Sequence, residues 1–217
     1  MLLIPKPVLA SGPTEDAVSL TELKSHLRVD GTADDTALTI MLGAVIKSVE
    51  TVIEKKLVTQ SWNIFFDDFP NSPSDDWWDG EREGAISSMR KPLKHIELPF
   101  GPLQSVTEFV SIDESDTEIE FASSNWSADL VSPIPKICLR IGGTWPTTVL
   151  RPLNGVRIKG VFGYGLAAAV PKEIKQAILM CGAKLYENRG DTVDGEKLTL
   201  PSTAMALLAP YRRLKIG

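Results

Sequence analysis

Apolar residues recur at Leu38, Leu42, Val45, Val49 and Val52, in alternating steps of four and three that lay a single stripe along a helix. Asp34 or a neighbour caps this helix, and an end near Leu57 makes it roughly 35 Å long at about 1.5 Å per residue. Just upstream, Ser19 and Glu22 have the spacing of a capping box. The serine hydroxyl accepts an amide of the first turn, and the glutamate reaches back to the serine amide. A short helix follows to about Leu27, ended by Arg28-Val29-Asp30-Gly31.

From Ser61 the period changes from helical to alternating. Trp62, Ile64 and Phe66 open a series of strand-like runs that continues at His95 to Leu98, Ser105 to Ile112, Glu118 to Phe121, Ile137 to Ile141 and Val156 to Phe162. Between the first two runs, Pro70 to Lys91 carries Asp75, Asp76, Trp77, Trp78, Asp79, Glu81 and Glu83, too polar to pack as a strand. The helical period returns at Pro171, expected as a first helical residue, with Ile174, Ile178, Cys181 and Leu185 on one face and Gly190 as the stop. A last short helix over Pro201 to Ala209 is expected to end at Pro210.

This order predicts an α+β fold: a helical bundle body, discontinuous in sequence, with a β-rich inserted subdomain. Residues 1–17, rich in proline and small polar residues, read as a flexible arm. Residues 18–60 and 166–217 form the two parts of the body, and 61–165 form the insert, with an acidic loop near 70–91 projecting from it. The stripes of the second and third helices each need a partner, so the two are expected to pack on each other.

Composition narrows the function. With 23 basic and 28 acidic side chains the net charge is −5, which argues against coating nucleic acid by bulk phosphate neutralisation. The start, Met1 to Pro7, reads as neither a signal peptide nor a membrane span, so the chain is expected in the cytoplasm when made. Cys138 and Cys181 lie far apart and are expected to be buried thiols without metal.

Convergent catalytic groups are scarce. His26 sits on the first helix and His95 opens a strand, both without a nucleophile or acid at a motif spacing. Gly160-Val161-Phe162-Gly163-Tyr164-Gly165 has the wrong spacing for a dinucleotide fingerprint, and reads as a strand end turning toward a helix. Asn125-Trp126-Ser127 is formally a glycosylation acceptor, matched by chance. Carboxylates concentrate at 67–83 and over Asp113 to Glu120, without the glycine pivot of a calcium loop.

Several short motifs gain meaning from their order. Ser19 to Asp30 with Asp34-Asp35 is followed by Gly142-Gly143-Thr144-Trp145-Pro146, Val161-Phe162-Gly163-Tyr164-Gly165, Val170-Pro171, Tyr186-Glu187-Asn188-Arg189 and Leu208-Ala209-Pro210-Tyr211-Arg212. The constellation, from about Val18 to Leu214, resembles the head-tail connector (adaptor) family of tailed bacteriophages and prophages. The resemblance implies a structural protein with no enzymatic activity, no catalytic or metal-binding residues and no cofactor. It implies a ring, typically twelve-fold in the virion, on the portal vertex, extending the DNA channel and linking the capsid to tail or stopper proteins. DNA passes without sequence-specific binding and no membrane is involved. The protein would lie at the head-tail interface of the virion, and in the host cytoplasm during assembly.

The carboxy-terminal Tyr211, Arg212, Arg213 and Leu214 combine two arginines with an aromatic and an aliphatic anchor, residue types that dominate binding hot spots. They are the expected contact with the portal protein. The alternative reading is a β-rich binding module or small metal-dependent hydrolase that uses the acidic loops.

Overall fold

The computed structural model describes residues 4–70, 95–188 and 200–213. The fold is mixed α+β and divides into two compact units, one of residues 1–12 and 61–162 and the other of 13–60 and 163–217. The acidic loop with Trp77 and Trp78 and the expected stop at Gly190 lie outside the described residues.

All four α-helices among the described residues belong to the second unit. In α1 (Leu20–Leu27) the capping box forms as expected: Glu22 N–H donates to Ser19 Oγ at 3.2 Å, and Ser19 N–H donates to Glu22 Oε2 at 2.6 Å. Helix α2 (Asp35–Ile53) buries Leu38, Leu42, Val45, Val49 and Ile53, whereas Val52, expected in the stripe, is only half-buried. It is long and apolar enough to cross a membrane by composition alone, yet its buried stripe packs into the core of this unit. It also stops short of Leu57. Glu54 turns left-handed at φ 53°, and its N–H bonds back to the Glu50 and Thr51 carbonyls.

Helix α3 (Lys172–Glu187) packs against α1, α2 and the short α4 (Ser202–Leu208). Pro171 is not its first residue. Proline fixes φ but leaves ψ free, and here ψ is 139°, extended, so Pro171 caps the helix from outside while its carbonyl accepts from Ile174 and Lys175. Contact between α1 and α3 is close, since a Cβ on Gly182 would stand 2.9 Å from Leu23 Cδ1. The chain also continues past Pro210. Ala209 keeps helical angles and the backbone tightens into a 3-10 turn over Ala209–Tyr211, in which Pro210 has no amide to satisfy.

The first unit holds a five-stranded sheet in the order β1-β2-β8-β4-β5: β1 (Lys6–Ser11), β2 (Gln60–Phe66), β8 (Val156–Phe162), β4 (Leu103–Ile112) and β5 (Glu118–Glu120). A three-stranded sheet has the order β3-β7-β6: β3 (His95–Glu97), β7 (Lys136–Leu139) and β6 (Trp126–Asp129). Strand β8 alternates strictly, burying Val156, Ile158 and Phe162 and turning Arg157 and Lys159 to the other face. There Lys159 meets Glu108 of the paired strand β4 at 2.7 Å, and Arg157 reaches past β4 to Glu118 of β5 at 2.5 Å. The core is aromatic: Phe109 stands edge-on to Phe121 at 5.2 Å, and Trp145 stacks on Phe69 at 5.3 Å. The Gly-Gly-Thr-Trp-Pro motif therefore supplies a half-buried tryptophan that packs against this core.

Residues 1–17 are not an arm throughout. Lys6–Ser11 pairs antiparallel with β2, from Lys6 opposite Phe65 to Ser11 opposite Ser61, and Lys6 bonds Asp67 at 2.7 Å. From Pro7 onward every residue of β1 is exposed, so backbone pairing orders it and no apolar periodicity announces it.

Val45 and Ile178 are almost fully buried on α2 and α3. An aspartate at either place is an unpaired buried charge. Val45→Asp and Ile178→Asp are each expected to cost about 4 kcal/mol or more. Thermal melts followed by circular dichroism should fall by more than about 8 °C; a melt within about 2 °C of the parent contradicts the packing.

Candidate partner-binding surface

The carboxy-terminal residues are positioned by α4. Ala204 and Leu208 are fully buried and fix that helix on the core, and the 3-10 turn then brings Tyr211 beside the first turn of α3. Tyr211 Oη donates to Glu173 Oε2 at 3.0 Å, and Lys55 Nζ lies 5.7 Å from the Tyr211 ring centroid. Arg213 reaches Glu54 at 3.7 Å. The Glu173 carboxyl is held below its ordinary range by its own backbone N–H and by Tyr211. Burial lowers the Lys55 ammonium, and burial followed by the bond to Glu173 raises the Tyr211 phenol. Tyr164 is pushed up to about 12 by burial and then by the neighbouring Tyr211.

Of the four residues expected to meet a partner, Tyr211 and Arg213 are thus half-buried on their own subunit, Arg212 is exposed, and Leu214 lies outside the described residues. Their local partners Glu54, Lys55 and Glu173 are far away in sequence. No local sequence pattern ties them to the carboxy-terminal segment.

The other candidates are dispersed. His26 is exposed on α1. His95 lies 3.8 Å from Glu97, which also pairs with Lys136 at 3.0 Å. Cys181 is buried, with its thiol raised by burial, while Cys138 is half-buried rather than buried. Asn125-Trp126-Ser127 runs into β6. Gly163 takes φ +128°, and a Cβ there would meet the Val58 carbonyl at 2.6 Å, so these glycines serve a tight strand exit. Among the described residues no group of three His, Cys, Asp or Glu side chains is arranged to hold a metal. The acidic Asp113 to Glu120 stretch is the β4–β5 hairpin. Asp113 accepts the Ser115 and Thr117 amides, Asp116 pairs with Arg151 at 3.0 Å, and Glu118 with Arg157. These three carboxylates brace a turn and a sheet instead of converging on a metal, and the other acidic loop lies outside the described residues.

Residues 17–132 match the family model described as phage gp6-like head-tail connector protein. The chain belongs to that family. It is a structural head-tail connector. No curated protein matches the sequence. Among solved structures, the connector is similar to a chain of "Neck of empty GTA particle computed with C6 symmetry", with TM-score 0.74, 22% identity and 97% of each chain covered. A second match is to "Virion of native gene transfer agent (GTA) particle", with TM-score 0.73, 22% identity, and 97% of this chain and 96% of that one covered. A third is to "Neck of native GTA particle computed with C12 symmetry", with TM-score 0.68, 23% identity, and 100% of this chain and 97% of that one covered. These likenesses show that the connector shares their fold over nearly its whole length.

The raised Tyr164 pKa has a signed consequence. The native state holds this proton more tightly than the unfolded chain, so the associated stability is fully present below about pH 10 and is lost as the pH rises through about 12. The chain has three tyrosines. In an alkaline titration followed by tyrosinate absorbance, Tyr164→Phe is expected to remove a late component with its midpoint near 12. An unchanged curve contradicts the burial of this phenol.

Proposed function

We propose that this connector assembles as a ring, with twelve copies in the virion, on the portal vertex. The ring extends the DNA channel and presents its far side to a tail or stopper protein. The single observation that carries this reading is a fold shared end to end with chains from particle necks, one of them described with C12 symmetry. A cyclic assembly joins two different patches of each subunit, so the ring closes without requiring a self-complementary face. In it the helical unit acts as the body and the β-rich unit as its insert. The net charge of −5 suits a conduit, because a basic lumen would hold phosphates. No chemistry is assigned to it, and the sites of action are the virion head-tail interface and, during assembly, the host cytoplasm. Val131 at the β6–β7 turn and Ile141 beyond β7 are 94% and 107% exposed, and these apolar side chains suit a subunit that buries more surface once assembled.

The segment Tyr211 to Leu214 docks on the portal. Tyr211 and Arg213 fix its path along the helical unit and Arg212 faces outward for a carboxylate. Removing residues 212–217 deletes the Arg213–Glu54 pair, worth up to about 1 kcal/mol at a partly exposed site. The melting temperature should fall by no more than about 4 °C. Binding to purified portal in a pull-down is expected to be lost, and rings to be absent by negative-stain microscopy. A truncated protein that binds portal at full strength overturns the docking role.

A further inference from the structure

Four described non-glycine residues have positive φ: Arg28, Glu54, Asp116 and Asn154. This conformation is unfavourable for any residue with a Cβ, and the short side chains of asparagine and aspartate tolerate it best. Glu54 and Asp116 use their side chains in ion pairs with Arg213 and Arg151. Asn154 is a residue type suited to the geometry, and its backbone N–H donates to Asp67 Oδ1. Arg28 differs. It caps α1 at φ 56°, ψ 39°, with its backbone N–H bonded to the Lys24 and Ser25 carbonyls, a task glycine performs at lower cost. Its guanidinium is exposed and makes no hydrogen bond or ion pair among the described residues. An arginine placed where glycine is favoured, with its side chain unused within the subunit, points to a task outside it.

The surroundings define the ligand. Arg28 lines an open cleft of about 590 Å³ with Thr21, Lys24, Ser25 and Asp30. Lys24 is already neutralised, donating to Asp35 at 2.6 Å and to the Gly31 carbonyl, so it braces the wall and offers no free charge. One uncompensated guanidinium beside Asp30 suits a single carboxylate held by two parallel N–H donors. A polyphosphate backbone would be repelled by Asp30 and by the exposed Glu22.

A matching carboxylate exists on this same chain. Along the β4–β5 hairpin, Asp113, Asp116 and Glu118 are engaged as described, whereas Glu114 is exposed at the tip and has no partner among the described residues. The turn beneath it is fixed by Asp113, which accepts Ser115 N–H at 2.8 Å and Thr117 N–H at 2.9 Å. Glu114 is therefore carried on an ordered tip. We propose that Arg28 is an inter-subunit anchor that receives Glu114 from the hairpin of the adjacent copy. This inference rests on the ring reading, in which each subunit offers two different patches to its neighbours.

The test is ring completion on purified portal, read by negative-stain microscopy over a range of connector concentrations, with a thermal melt of every variant. Arg28→Gly should melt at or above the parent temperature, by up to about 4 °C. It should need at least about tenfold more protein for half-complete rings. Arg28→Lys keeps both the charge at the helix end and the left-handed backbone but lacks the two-pronged donor, and should show most of the same loss. Arg28→Glu and Glu114→Arg should each fail, and the charge-swapped double variant should recover to within about threefold of the parent. Assembly of Arg28→Gly or Arg28→Lys at the parent concentration overturns the proposal, the latter because the charge would then act only on the helix end. Failure of the double variant to recover also overturns it. So does Arg28→Gly that completes rings but loses affinity for a duplex DNA fragment, which assigns the cleft to phosphate. If the parent protein gives no rings on portal, the ring reading falls first and separately.

Discussion

The reversal after α2 depends on one buried carboxylate. Glu50, 4% exposed in the last turn of that helix, accepts the Leu57 amide at 3.0 Å and the Gln60 side-chain amide at 3.1 Å, and lies 3.4 Å from Lys56. A buried charge is tolerable only when its lone pairs are satisfied, and removing one partner of such a group costs about 3–5 kcal/mol. The geometry is therefore prescriptive: Leu57 to Gln60 must fold over the helix end for Glu50 to stay buried. The returning chain pairs with the same stretch, Tyr164 donating to the Leu57 carbonyl and Thr59 to that of Gly165. Burial lowers the Lys56 ammonium and Glu50 opposes that shift, as expected for a cation whose local environment is dry but compensated. The departure from helix into strand and the return from strand to helix thus share one polar nucleus.

That nucleus also explains which parts of the fold were legible in the sequence. Where an element buries one face, its period is visible, and β8, with buried and half-buried residues in strict alternation, shows both of its ends in the sequence. The α1 cap was legible because Ser19 and Glu22 satisfy each other locally. The end of α2 was not, because apolar residues continue to Leu57 and Val58 after the helix has stopped at Glu54, and Glu50, which holds the reversal, is bonded by partners up to Gln60. Strand β1 was invisible for the opposite reason, since it is ordered by backbone pairing and by Lys6–Asp67 while burying almost nothing. At the carboxy terminus the residue chemistry was legible, whereas the contacts that hold Tyr211 and Arg213 come from segments more than 35 residues away in sequence.

Charge is organised by the same economy. On the outer face of the five-stranded sheet, Arg157 and Lys159 alternate with buried neighbours and meet Glu108 and Glu118, pairs that contribute modestly and fix register more than stability. The Glu108 carboxyl is held low first by its bond to Lys159. The acidic hairpin is therefore no reservoir of free charge, because most of its carboxylates are committed to the turn or to the sheet. What stays uncommitted is sparse and sits at defined points, which favours specific pairwise recognition between subunits over diffuse attraction. In the ring proposed for this connector, a few directional pairs would set orientation while the acidic balance would leave the phosphates of DNA unheld.

The proposed docking tail gains from contacts that at first sight compete with docking. A segment that is wholly flexible loses conformational freedom when it binds, at about 0.5–1.5 kcal/mol for each immobilised side chain. In this connector the Tyr211–Glu173 hydrogen bond and the Arg213–Glu54 pair have already fixed two of the side chains. Arg212, exposed between them, is presented from a backbone whose path is set before any partner arrives. In the proposed docking these local contacts would lower the ordering cost, and the outward Arg212 between them would be left for recognition.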